Sequence, residues 1–371
     1  MDEKMKKIIF IVLGAFVILF LFLFMMSSCS KKITPEKLEL MIVDEAKDYY
    51  YLYPNELPGK NSVITLSLSD LVNKGIIKEL DKLLEKDTNC SGTLTIENNN
   101  DYYMYSPSIS CNTGTETFIT VNLKELLLEN VVTSGNGLYN IGNEYYFRGD
   151  DVDNYLMFDG LLWRITKINS DNSIRLIEAG RREPVEWDDR YNEITSTSTG
   201  INNFSANNLN SRILQNLNEI YENDAILSND AKGYIKETNL CIGKRSITET
   251  INDGTIECSS TLDNQYLGLL QYNEYMMASL DNNCLQTDSV GCRNYNYLAE
   301  FNNSYWTLTA NNENTHQVYK INKTVMSTDA SNSGMARLVI NISENTNVTG
   351  EGTEEKPYIV SGFENELKEI K

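Results

Sequence analysis

The spacing of apolar and polar residues changes along this chain, and each change predicts a different element. From Ile8 to Met26 the sequence reads IIFIVLGAFVILFLFLFMM, 19 residues without a charge, bracketed by Lys6 and Lys7 before it and Lys31 and Lys32 after it. At about 1.5 Å per residue, a helix of that length matches the ~30 Å hydrocarbon core of a bilayer. Residues 1–32 are therefore expected to form an N-terminal transmembrane helix that meets the membrane through residues 8–26. Beyond it, Leu38, Met41, Ile42, Ala46, Tyr49 and Tyr53 fall at helical spacing, behind the helix-start signal Thr34-Pro35-Glu36. Pro54 and Leu57-Pro58-Gly59 end that helix; Val63 to Leu68 reads as a strand, and Ser69 as the cap of a second helix through Val72, Ile76, Leu80 and Leu84.

The pattern then becomes that of strands. Thr93 to Ile96 and Tyr102 to Tyr105 flank the polar turn Asn98–Asp101, a hairpin signal, and Thr117–Leu123 with Lys124–Val132 reads as a strand followed by a short helix. The small-residue stretch Thr133-Ser134-Gly135-Asn136-Gly137 is the expected linker, dividing a small domain, 33–134, from a larger one, 135–371. In the larger domain Tyr155–Phe158, the favoured hairpin dipeptide Asp159-Gly160 and Leu161–Ile165 predict a tight hairpin. Asn169–Ser173 turns the chain again into Ile174–Ile177, giving a meander that is apolar on both faces, as a buried sheet requires. After the polar stretch Ile194–Asn208, Leu209, Ile213, Leu217 and Ile220 predict an amphipathic helix. The fold class expected is α+β: a transmembrane helix, a small helix-plus-hairpin domain, and a larger mixed antiparallel-sheet domain.

Cysteine usage adds a compartment. Beyond the apolar segment the cysteines form three close couples in sequence, predicting Cys90–Cys111, Cys241–Cys258 and Cys284–Cys292. Disulfides persist in oxidising spaces, so the body is expected outside the cytosol, with the N-terminus inside. Met26-Ser27-Ser28-Cys29 resembles a bacterial lipobox, which makes a lipoprotein lipidated at Cys29 the alternative to a plain anchor. Met at the third position before the cysteine departs from the usual residue there, and the apolar run exceeds the roughly 7–15 residues of a cleavable signal. An apolar helix running into an amphipathic one also invites comparison with pilins, but no Glu follows early in the apolar segment.

Charge narrows the partners. With 32 basic against 52 acidic residues the net charge is −20, which argues against nucleic acid and against a body lying on anionic lipid. No cofactor is expected, since Walker A, G-x-G-x-x-G, H-E-x-x-H and G-x-S-x-G are all absent, and His316 is the single histidine. Asp150-Asp151-Val152-Asp153-Asn154 offers Asp150, Asp151 and Asp153 as oxygen ligands for Ca²⁺, without the Gly and later Glu of an EF-hand. Trp187, beside Glu186, Asp188 and Asp189, is the candidate for an exposed aromatic that stacks on a sugar or peptide, with both aspartates as ligand-binding partners.

Tyr145-Tyr146-x-Arg148-Gly149, Asn154-Tyr155-x-x-Phe158 and Leu162-Trp163-Arg164-Ile165 resemble the opening of a domain found in bacterial surface proteins of unassigned function. The resemblance continues at Leu267–Leu270 with Glu274-Tyr275, at Asn296-Tyr297-Leu298 and at Trp306–Thr309, and closes with Arg337–Asn341 and Gly350–Thr353 leading to Pro357-Tyr358. It spans nearly all of residues 138–360 and implies a C-type-lectin-like or sulfatase-modifying-factor-like fold behind a small pilin-like module; it supplies no catalytic residues. Where relatives usually carry Arg-Pro-Val, this chain has Arg337-Leu338-Val339. The function expected is that of a single-pass, extracellular surface protein that binds cell-wall glycan or another surface protein, or organises the envelope, without catalysis. The alternatives are a glycan hydrolase using paired carboxylates and a pilin-like assembly subunit.

Overall fold

Pro35 opens helix α1, Pro35–Leu52, in the first helical turn, although the Thr34 hydroxyl makes no capping bond. The computed structural model describes residues 32–99, 102–192, 195–206, 209–285, 292–299, 303–363 and 367–368. The apolar segment 8–26 and Cys29 lie outside the described residues, among which no helix is long and apolar enough to cross a membrane. One face of α1 buries Leu38, Ile42, Val43, Ala46 and Tyr50, and with them one carboxyl, Glu39. Strand β1, Val63–Ser67, follows. Ser67, rather than Ser69, caps helix α2, Leu68–Asn73, in a reciprocal box with Asp70. The helix stops at Lys74 because Gly75 turns left-handed (φ +75°), so the stretch to Leu84 holds only a separate short helix, Leu80–Leu83. Strands β2, Asn89–Asn99, β3, Tyr102–Asn112, and β4, Thr117–Ile119, complete a four-stranded antiparallel sheet in the order β1-β2-β3-β4. Cys90 faces Cys111 across the open end of the long hairpin and is bonded to it. Leu38, Ile42, Leu71, Leu94, Ile96 and Ile109 fill the core between sheet and helices.

The chain leaves this core earlier than its linker composition implies. Strand β5, Val121–Asn122, pairs with a strand near the C-terminus, and helix α3, Leu123–Glu129, buries Leu123 and Leu127 in the second core. The apolar stripe of α3 needs a wall, and the larger domain supplies it, so the change of sides falls near Thr120 and not at Thr133–Gly137. The second core is built on a curled, half-barrel sheet of nine strands, and 21% of the described residues are helical and 35% in strands. Strand β6, Gly137–Ile141, pairs with β7, Glu144–Arg148. Strands β8, Tyr155–Phe158, β9, Leu161–Ile168, and β10, Ile174–Glu178, form the expected meander. Asp159 and Gly160, at φ +52° and +70°, make the turn that this dipeptide favours. A second sheet, of five strands, begins with β11, Pro184–Glu186. It takes in β12, Tyr305–Ala310, β13, Gln317–Asn322, β14, Thr324–Asp329, and β15, Ser333–Met335, with β11 and β14 at its edges. Val339–Ile342, Asn347–Thr349 and Tyr358–Val360 return to the large sheet. The amphipathic helix is α4, Arg212–Glu222, which starts at its Ser211 cap; Leu209 belongs to a short strand ahead of it.

The two cores meet along β3. Helix α5, Asn229–Tyr234, packs against it so closely that a Cβ on Gly233 would stand 2.3 Å from the Tyr103 carbonyl oxygen. Tyr234 donates its hydroxyl to the Tyr105 carbonyl at 2.6 Å, and Asn99 donates to the Gly233 carbonyl at 2.6 Å. Glu97 accepts from Lys236 (3.1 Å), Ser343 (2.7 Å) and Asn345 (2.9 Å) across the seam. Burial raises its pKa, but these donors outweigh burial and hold it below the usual carboxylate range. Glu39 lies in the same seam, beside Ser361, and its Oε1 has no hydrogen-bond partner. Burial pushes its pKa up to about 8, with the Ser361 hydroxyl opposing and the charge of Glu36 adding to the rise.

Candidate functional site

Helix α6, Tyr272–Met277, and the segments on either side of it build the site. Tyr275, fully buried, donates its hydroxyl to the carbonyl of Lys323 at 2.8 Å. That bond fixes the β13–β14 turn, where Lys323 sits left-handed at φ +61°. The loop after β7 is tied to the end of α6: Gly149 donates to the Ala278 carbonyl (2.9 Å), and Arg148 reaches the Ser279 carbonyl through Nε (2.8 Å) and a terminal nitrogen (2.6 Å). The third wall is the segment leaving the Cys284–Cys292 bond. Tyr297 donates its backbone N–H to Gly149 (2.8 Å), and Asn296 caps the following turn by accepting from Leu298 and Ala299 (2.9 and 3.2 Å).

Between these walls lies a cavity of about 560 Å³, inside the ~300–1,000 Å³ range of small-molecule sites. Met276, Ala299 and Val325 give it an apolar floor, while Asp150, Arg293, Asn294 and Lys323 bring polar groups to it. Tyr295 stands in its lining with 73% of its surface exposed. Asp150, Arg293 and Lys323 are exposed and make no ion pair with a described residue. A flat aromatic face beside charges that have no ion pair among the described residues can bind a polar ligand by stacking and by charge-assisted hydrogen bonds. A second cleft, of about 580 Å³, lies between α4 and β11 and is lined by Arg181, Arg182, Asn216, Ser333 and Met335 among others. It has no aromatic in its lining, and its Arg182 is already paired with Glu178 at 2.6 Å.

Most residues singled out from sequence lie elsewhere. Trp187 is not the exposed platform expected: it is 0% exposed, packs against Phe204 and donates its indole N–H to the Thr307 carbonyl (3.3 Å). A large apolar ring whose single polar atom has an internal acceptor is better buried than wet. Asp188 is buried in a two-pronged pair with Arg190 (2.9 and 3.1 Å). Asp189 accepts from Arg212 (2.7 Å) and Ser196 (2.8 Å), and the Arg212 bond holds its pKa low. The three neighbours therefore offer no common ligand site. Asp150, Asp151 and Asp153 are not brought together either; among the described residues no three His, Cys, Asp or Glu side chains converge on a metal position. Asp150 alone reaches the Tyr295 cavity. His316 stands 3.5 Å from Asp329, partly exposed. All three disulfides join the couples expected.

Tyr295, Arg293, Asn294 and Lys323 were not singled out from sequence. The signal available was a short disulfide couple followed at once by the polar and aromatic run Arg293-Asn294-Tyr295-Asn296. Comparison with protein-family models, with curated proteins and with solved structures finds no match to this chain.

Proposed function

We propose that this chain is a membrane-tethered, extracellular surface protein whose larger domain binds a polar ligand in the Tyr295 cavity, without covalent chemistry. The observation that carries this reading is an aromatic ring 73% exposed beside three charged groups that have no ion-pair partner among the described residues. The apolar run 8–26 would be the tether, and the three disulfides favour an oxidising space. The motif resemblance over residues 138–360 supports a lectin-like domain of the surface-protein kind, with cell-wall glycan or another surface protein as the partner. A glycan array probed with the full chain in detergent micelles tests the reading, run beside a peptidoglycan-release assay. Binding that disappears in Tyr295→Ala supports it. Release of glycan fragments that is lost on one Asp or Glu substitution would replace it with the hydrolase reading.

A further inference from the structure

We infer that the Tyr295 cavity selects a carboxylate-bearing saccharide, which rests on the binding reading above and adds the ligand class and the groups that discriminate. Across the larger domain Arg175, Arg182, Arg190, Arg212, Lys232 and Arg245 are all ion-paired. Arg293 and Lys323 make no side-chain hydrogen bond or ion pair with a described residue, and both line this one cavity. Asp150 is the single carboxylate in the described lining, so basic side chains outnumber acidic ones there, inside a protein of net charge −20.

Each part of such a ligand has a counterpart. The exposed face of Tyr295 suits the C–H face of a pyranose ring, and Met276, Ala299 and Val325 extend that apolar surface. Asp150 can accept from ring hydroxyls. Arg293 and Lys323 supply charge-assisted donors for a carboxylate, the guanidinium in a fork that matches its two oxygens. A saccharide fits better than an acidic peptide because the groups come from four separate segments onto one compact cavity. An extended peptide would follow the edge strand β14, yet past Val325 none of its residues lines the cavity.

The test is calorimetric titration of the full chain in detergent micelles with three probes: a uronic-acid oligosaccharide, the same oligosaccharide with its carboxyls reduced to alcohols, and an Asp/Gly hexapeptide. The acidic sugar is expected to bind at least about tenfold more tightly than its reduced counterpart, as charge-assisted bonds predict. Lys323→Gln combined with Arg293→Gln should erase that preference and leave neutral binding in place, whereas Tyr295→Ala should weaken both sugars by about tenfold or more. Equal binding of both sugars, lost in Tyr295→Ala, would overturn the acidic selectivity and leave the binding reading standing. Tightest binding of the peptide would overturn the ligand class, and no binding of any probe would overturn both. An unchanged urea midpoint in each variant shows that a lost signal is lost contact and not lost fold.

Discussion

The seam along β3 and the Tyr295 cavity are both polar, but they use their charges in opposite ways. In the seam, Glu97 meets three donors from the other domain and is held ionised, while Glu39, with a raised pKa and an unsatisfied oxygen, is held neutral. Both are buried, and both states are set by the surrounding fold. In the cavity, Asp150, Arg293 and Lys323 stay exposed with no described ion partner, around a tyrosine whose ring is largely free. Polar groups already bonded inside a protein stabilise it and are closed to ligands. Those left open on a stapled frame add little to stability and can be used for recognition.

Breaking the seam should have the largest effect. Glu97→Ala leaves Lys236, Ser343 and Asn345 without their shared acceptor and is expected to cost about 4 kcal/mol, read as a lowered denaturation midpoint. The two seam carboxyls should also tilt stability in opposite directions with pH. The pKa of Glu39 is raised in the fold, so its contribution is complete below about 4.5 and is lost as pH rises towards about 8. That amounts to about 3 kcal/mol by pH 7, and Glu39→Gln should remove the slope. The pKa of Glu97 is lowered, so its contribution is present above the ordinary glutamate range and is lost on acidification. Stability curves of the two single variants, measured from about pH 2 to about pH 9, separate the slopes.

Smaller effects are expected at the cavity. Replacing Cys284 and Cys292 together by Ala opens a loop of separation 8 and should cost about 2.5 kcal/mol, with ligand binding lost as the Arg293–Tyr295 wall loosens. Tyr295→Ala should change stability by less than about 0.5 kcal/mol, since an exposed ring contributes little to packing. A stability loss like that of Glu97→Ala at this position would erase the distinction between the two regions.

What was legible in sequence was local. Asp159-Gly160 announced its hairpin because one dipeptide suits both left-handed positions, and the disulfide couples were readable because each pair is near in sequence. The α1 start at Pro35 was readable for the same reason. The seam and the cavity were not readable, because they join distant segments: Glu97 to Ser343 and Asn345, Asp150 to Tyr295 and Lys323. Trp187 misled because its acidic neighbours suggested water, while Arg212, the partner of Asp189, and Thr307, the indole's acceptor, lie far along the chain, and the pairing of Asp188 with nearby Arg190 is set by the fold. The domain edge shifted for a similar reason: β5, just ahead of α3, pairs with Asn347 and Val348, more than two hundred residues further along the chain, and α3 buries Leu123 and Leu127 in the second core.

The most direct test of the contrast is to measure denaturation and saccharide binding on the same preparation of Tyr295→Ala. The account predicts a midpoint indistinguishable from the parent chain and binding reduced by about tenfold or more. A variant that unfolds as readily as Glu97→Ala, or one that binds as well as the parent, would contradict it.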